Sequence, residues 1–274
     1  MRSDDAVNFL RQLGQAGDGP HDIARAALML AALDHANHSL DSYIAHLDEI
    51  AAEAARVAKA LGPAEEAVQK LTALLRGRFG YDGDRLSYDD PRNADLIEVI
   101  ERRRGLPVAL GIIFLHAARA AGYTATGLSA PVHFLVRIST VAREAILDPF
   151  NGNVIARDKL FVPPVLQTTP AAKVKDALEP VCDTDVLIRL LNNVKLRASE
   201  ARDHGRAIII AERMVIVAPR RAELWLELAR LNDAQGGLRS AREAYETCLS
   251  LASPGQAWHN EAALALASLK RRLN

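Results

Sequence analysis

Residues 98–133 read EVIERRRGLPVALGIIFLHAARAAGYTATGLSAPVH, and the fold turns on them. Asp95–Arg104 has helical character, Gly105-Leu106-Pro107 interrupts it, and Val108–Ala121 follows as an apolar helix stopped by Gly122. A helix that is apolar on every side belongs at the centre of a core. Two strand-like runs come next, Val132–Ile138 and Arg143–Asp148, separated by Ser-Thr-Val-Ala. As an antiparallel hairpin they are expected to set Arg137 opposite Glu144, Leu135 opposite Ile146 and His133 opposite Asp148. On the other face Phe134 would meet Leu147 and Val136 would meet Ala145, so one register satisfies both sides and a one-residue slip does not.

A helix start, then a histidine, then an aspartate is the layout of a cysteine–histidine–aspartate acyl-transfer site. The cysteine of such a site sits in the first helical turn, where the backbone dipole and an imidazole favour thiolate. Here positions 105–110 are Gly, Leu, Pro, Val, Ala and Leu, and none of them is a nucleophile. His133 and Asp148 therefore stand either as a base oriented by a carboxylate or as a cross-strand pair that pins the hairpin. Asp90, Arg92, Asn93, Glu98, Arg103 and Asn151 are candidates for a polar pocket beside the pair. Their local alternative is a helix entry, with Asn93 or Asp95 as N-cap, Pro91 shaping the turn, and Asn151-Gly152 as a turn of its own.

Other reactive side chains carry blander readings. Cys182 stands beside Asp183 and Asp185, whose carboxylates disfavour thiolate, and Cys248 fills a small-residue slot. His116, inside the apolar helix, reads as a core residue. Asp34, His35, His38 and Asp41 are broken up by Asn37–Ser39 and read as surface groups rather than a metal site. GRFGYDGD lacks the Lys-Ser/Thr and the following helix of a phosphate loop. No cofactor is expected.

Upstream, Asp22–Ala36, Leu40–Leu61 and Pro63–Arg76 read as helices, followed by the irregular stretch GRFGYDGDRLSYDDPRN. Downstream, residues 162–184 carry four prolines in VPPVLQTTPAAKVKDALEP and read as a linker. Within 185–274, Trp225, Leu228, Ala229, Ala241, Tyr245 and, within one residue, Pro254 take the places of a tetratricopeptide repeat. Leu191, Ala207, Ala211 and, again within one residue, Pro219 repeat that pattern one period earlier of roughly 34 residues. Gln256–Leu273 is the expected capping helix.

Composition narrows the classes. The 274 residues carry 34 basic and 34 acidic side chains, so no net field recruits nucleic acid or an anionic membrane. Aromatics at 5% also argue against a stacking surface for single-stranded RNA. Two distant cysteines give no disulfide framework, MRSDDAVNFL lacks the order of a signal peptide, and the longest apolar run holds His116 and Arg119. The expected setting is the cytoplasm.

YDDPRNADLIEVIERRRGLPVALGIIFLHAARAAGY, then PVHFLVRI and ILDPFNGN, then the repeats, resembles the SirB-type family of bacterial transglutaminase-like proteins over roughly Ser39 to the C-terminus. The resemblance implies an α+β, predominantly helical fold: a core related to papain-like and transglutaminase folds with a small antiparallel sheet, and a helical repeat tail. It implies a helical N-terminal part of the core over 1–80, the transglutaminase-like core over 81–161, the linker over 162–184 and two repeats with a cap over 185–274. His133 and Asp148 fall where the superfamily's catalytic histidine and orienting aspartate would be. With Val108 at the nucleophile position, the expected function is a non-catalytic adaptor that binds a protein or peptide partner through the repeats and the vacant cleft. The alternative is a hydrolase or acyltransferase that uses His133 and Asp148 with water or another nucleophile.

Overall fold

The computed structural model describes residues 3–35, 38–57, 63–129, 133–140, 143–155 and 179–273. They form two compact units, Met1–Phe9 with Asp18–Leu190, and Leu10–Gly17 with Leu191–Asn274. Helix α1 (Ser3–Ala16) thus contributes its second half to the C-terminal unit. That membership has no counterpart in a division at 80/81 and 184/185.

In the first unit, α2 (Ile23–Ala32), α3 (Asp41–Val57) and α4 (Ala64–Thr72) occupy the three expected helical stretches. Asp22 caps α2 by accepting from the Arg25 amide. Beyond α4 the chain widens into a π-helical turn, Ala73–Arg78, and then enters a two-residue strand β1 (Asp82–Gly83). Helix α5 (Leu96–Arg102) is capped by Asp95, whose carboxylate accepts from the Ile97 and Glu98 amides and from the His35 imidazole. It ends at Arg103, which adopts the left-handed conformation, φ 55°. Arg104–Gly105 (β2) then pairs in parallel with β1.

The helix α6 (Pro107–Ala120) starts with Pro107 in its first turn, where no amide proton is needed. Its apolar side chains are buried almost throughout, each leucine or isoleucine contributing roughly 1.5–3 kcal/mol of transfer free energy. It is the expected central helix, packed against α2 and α3 and against strands β3 (Thr124–Ser129) and β4 (Phe134–Ser139). The close approach to β4 depends on Gly111: a Cβ there would lie 2.3 Å from the Phe134 ring. His116 sits in this interior and donates from Nε2 to the Leu47 carbonyl at 3.0 Å.

Strands β5 (Glu144–Asp148), β6 (Asn153–Ile155) and β7 (Pro180–Val181) complete an antiparallel sheet of order β6-β5-β4-β3-β7. The β4–β5 hairpin forms, but its register is two residues from the expected one: Val136 faces Leu147, Arg137 faces Ile146 and Ser139 faces Glu144. The reason is a tighter connection. The Thr140 amide donates to the Arg143 carbonyl at 2.8 Å, and Thr140 Oγ1 accepts from the Arg143 amide, so pairing runs to the edge of a two-residue link. A shift of two keeps every side chain on its face, and Arg137–Glu144 persists as a diagonal pair at 3.8 Å. Strand β3 is an addition to the expected two, its TATGLS sequence having little of the apolar alternation that marks a half-buried strand. Of the proline-rich stretch, 162–178 lie outside the described residues; β7 and the start of α7 (Asp183–Glu200) occupy its end. Asp183 is buried there, accepting both Nη atoms of Arg119 at 2.7 Å and the His21 amide at 2.8 Å.

The second unit is built of helix–turn–helix pairs. Helices α8 (His204–Val217), α9 (Ala222–Ala234), α10 (Leu238–Leu251) and α11 (Ala257–Leu273) follow the second half of α7. The starts of α8 and α10, at 204 and 238, are 34 residues apart. The small residues Ala207, Ala211, Ala229 and Ala241 are buried, as are Leu191, Leu228 and Tyr245. Trp225 donates from its indole to the Pro219 carbonyl at 2.8 Å, joining two of the repeat positions. Pro254 is exposed in the turn before α11. Cys248 is buried in α10. Among the described residues no helix is long and apolar enough to cross a membrane.

Candidate functional site

His133 and Asp148 come together at the open end of β4 and β5. The imidazole Nε2 lies 3.0 Å from Asp148 Oδ2. An ionised carboxylate only accepts, so Nε2 carries the proton. Asp148 is 4% exposed, whereas the His133 side chain is 35% exposed. The other hydrogen bonds of Asp148 come from the turn that follows it. Oδ1 accepts from the Phe150 amide at 2.9 Å and the Asn151 amide at 3.1 Å, and Oδ2 accepts from Asn151 Nδ2 at 2.7 Å. Burial pushes this carboxyl up, but the bonds from His133 and Asn151 outweigh it and hold it below the ordinary carboxylate range.

Aromatic rings and a guanidinium surround the pair. Phe150 lies edge-to-face with His133, ring centroids 6.3 Å apart, and with Tyr88 at 5.8 Å. Arg85 covers the Phe150 ring at 5.1 Å, donates to Asn151 Oδ1 at 2.9 Å, and reaches the Phe150 carbonyl and Asp82 at 3.3 Å. Arg76 joins the same Phe150 carbonyl to Asp82 from the π-helical turn.

The loop that carries Arg85 and Tyr88 is fixed from within. Asp84 accepts from the Leu86 and Ser87 amides, from Ser87 Oγ and from Arg102 Nη2. Burial raises its pKa, yet the bonds from Ser87, Asn93 and Leu86 prevail and bring it down to about 2. Asn93 is wholly buried. Its Nδ2 donates to the Ser87 and Tyr88 carbonyls, its Oδ1 accepts from Arg102, and its backbone carbonyl accepts from the Leu106 amide, at the entry to α6.

The six pocket candidates therefore separate. Asn151 belongs to the His133–Asp148 pair. Asn93 underlies the neighbouring loop as a buried structural hub, and Asp95 takes the N-cap role. Asp90 and Arg92 bind each other at the surface, Arg92 Nη2 lying 2.6 Å from Asp90 Oδ2. Arg103 turns to a different cluster, donating to the Tyr81 hydroxyl at 2.6 Å and to His46 Nε2. There burial and the Arg103 charge push the His46 imidazole down to about 4. Glu98 lies on α5, half-buried, with its amide on Asp95.

At the head of α6, Val108 is 2% exposed. Neither cysteine is held as a thiolate. The Cys182 Sγ donates to Asp185 Oδ2 at 3.0 Å, and burial with that bond pushes it up to about 11. Burial raises Cys248 as well.

Sequence reasoning missed Arg85, Phe150 and Asp84. Phe150 was within reach, since it follows the aspartate directly in LDPF. The two charged residues give no signal of their own, because their role depends on a loop geometry that no periodicity announces.

A model of the transglutaminase-like superfamily matches residues 41–192, which include every residue of this site. The UPF0162 protein of Xylella fastidiosa (strain 9a5c) is 30% identical over 191 residues, 64% of this chain and 68% of that protein. The chain belongs to the SirB-type family of transglutaminase-like proteins. Two further family members are more distant in coverage. The UPF0162 protein of Vibrio cholerae serotype O1 is 36% identical over 103 residues, 37% of this chain and 38% of that protein. Protein SirB1 of Salmonella typhimurium is 26% identical over 157 residues, 57% of this chain and 58% of that protein. The SirB-type resemblance and the α+β, mainly helical fold expected from it are thus both established.

Proposed function

We propose that this SirB-type protein is a non-catalytic binding protein. In this reading a transglutaminase-like domain without its nucleophile is joined to tetratricopeptide-type repeats, and the two hold a protein or peptide partner in the cytoplasm. The observation that carries it is Val108, an apolar and buried side chain where acyl transfer needs a thiolate. Losing the nucleophile of a triad costs on the order of 10⁶ in turnover, about as much as losing the triad whole. A His133–Asp148 pair alone is therefore a poor hydrolase. Two cysteines far apart in sequence, with no disulfide framework, accord with a reducing compartment.

The alternative is hydrolysis by water activated at His133, and one observation favours it: the imidazole is open to solvent while its aspartate is buried. One assay separates the two. Wild type and His133→Ala are offered p-nitrophenyl acetate and a glutaminyl peptide with an amine acceptor, with folding checked by circular dichroism. The binding reading expects equal rates for both proteins, at the level of buffer. His133-dependent turnover by folded protein would replace it with the hydrolase. Fluorescence anisotropy against a library of labelled hexapeptides tests binding itself, and the expected result is saturable capture that His133→Ala weakens.

A further inference from the structure

We propose that Arg85 is a positioning residue for His133, acting through Asn151 and Asp148. The chain of contacts is continuous. Arg85 Nη2 donates to Asn151 Oδ1 at 2.9 Å, Asn151 Nδ2 donates to Asp148 Oδ2 at 2.7 Å, and the same oxygen accepts from His133 Nε2 at 3.0 Å. Only one amide orientation serves this chain. With a guanidinium on one side and a carboxylate on the other, a flipped Asn151 would set donor against donor and acceptor against acceptor.

The carboxylate is locked in turn. Its two oxygens accept four donors, two of them backbone amides of the following turn, so it cannot rotate without breaking bonds. Its position fixes a proton on His133 Nε2. Arg85 is itself aligned by the Phe150 ring and carbonyl and by Asp82 and the Gly83 carbonyl, and a planar fork spans these partners where an ammonium could not. Arg85 thus ties the conformation of the 84–93 loop to the tautomer of a histidine 48 positions away in sequence, from 85 to 133. The inference does not depend on whether the site binds or catalyses.

Long-range proton–nitrogen NMR of labelled histidine tests it in the full chain. Wild type is expected to show His133 protonated at Nε2 at neutral pH. Arg85→Ala should give a mixture of tautomers and solvent exchange of the Nε2 proton about tenfold faster, the scale of one lost hydrogen bond to a charged group. Arg92→Ala, at a guanidinium that binds Asp90 across the surface, should leave His133 unchanged. Arg85→Lys should resemble Arg85→Ala. Unchanged His133 signals in folded Arg85→Ala would overturn the proposal, and so would full restoration by lysine, which would make charge rather than geometry the agent. If Arg85→Ala does not fold, Asn151→Ser breaks the same chain one link later and is expected to alter the tautomer equally; a wild-type spectrum there would be just as damaging.

Discussion

At the scale of single residues, buried charge organises the neighbourhood of His133. Asp84 is the strongest instance, an aspartate with almost no solvent contact whose folded-state pKa is about 2 against an ordinary 3.8. A depressed carboxyl stabilises the fold fully above its unfolded value and loses that contribution as pH falls through the folded one. The stabilisation from Asp84 is therefore complete above about pH 4 and declines toward about pH 2. Asp84→Asn should flatten that part of the profile of urea midpoint against pH, and should lower stability at neutral pH, since Arg102 would lose its charged partner. A profile as steep as wild type below pH 4 would assign the acid sensitivity elsewhere, with Asp148 the next carboxylate to change.

At the scale of elements, α6 and the β4–β5 hairpin show what could be read from sequence. The central helix was legible because all but His116 and Arg119 of the fourteen residues Pro107–Ala120 are apolar, a pattern that permits no amphipathic alternative. The hairpin and its faces were legible from period-two patterning, and the His133–Asp148 contact survives because an even shift of register preserves faces. The two-residue error arose from the turn: the side chain of Thr140 lets pairing continue one step beyond the last apolar residue, and hydrophobic pattern carries no information on that step. Strand β3 was illegible because Thr, Ser and Gly satisfy a central strand here only through its neighbours. The candidate site was half legible. Its dyad and Asn151 could be named, whereas Arg85 acts through hydrogen bonds to the distant Phe150 and Asn151, and Asp84 through its own turn and Arg102. The head of α6 gives a direct prediction: Val108→Cys should react with iodoacetamide far more slowly in native protein than in urea, read by peptide mapping against Cys182 and Cys248. Rapid native labelling would mean that the head of α6 is open to substrates, and would favour the enzymatic reading.

At the scale of the whole molecule, the second unit is discontinuous in sequence. Leu10–Gly17 associates closely with the α8–α9 connection: a Cβ on Gly14 would lie 2.2 Å from the Ile216 carbonyl oxygen and 2.9 Å from Pro219, and Arg220 donates to the Gln15 carbonyl at 3.2 Å. Gly14→Val should destabilise this unit by about 1–3 kcal/mol through overpacking. Amide exchange resolved by mass spectrometry should show faster exchange in α8 and α9 and none in α6. Equal acceleration in both units would mean that they unfold as one.

That discontinuity has a consequence for synthesis on the ribosome. The segment Leu10–Gly17 leaves the exit tunnel before any of the helices it will pack against exists, and all of Asp18–Leu190 is made in between. At 5–20 residues per second the wait is about 10–35 s. Throughout it Leu10 and Leu13, buried in the finished protein, stay exposed to solvent or to a chaperone.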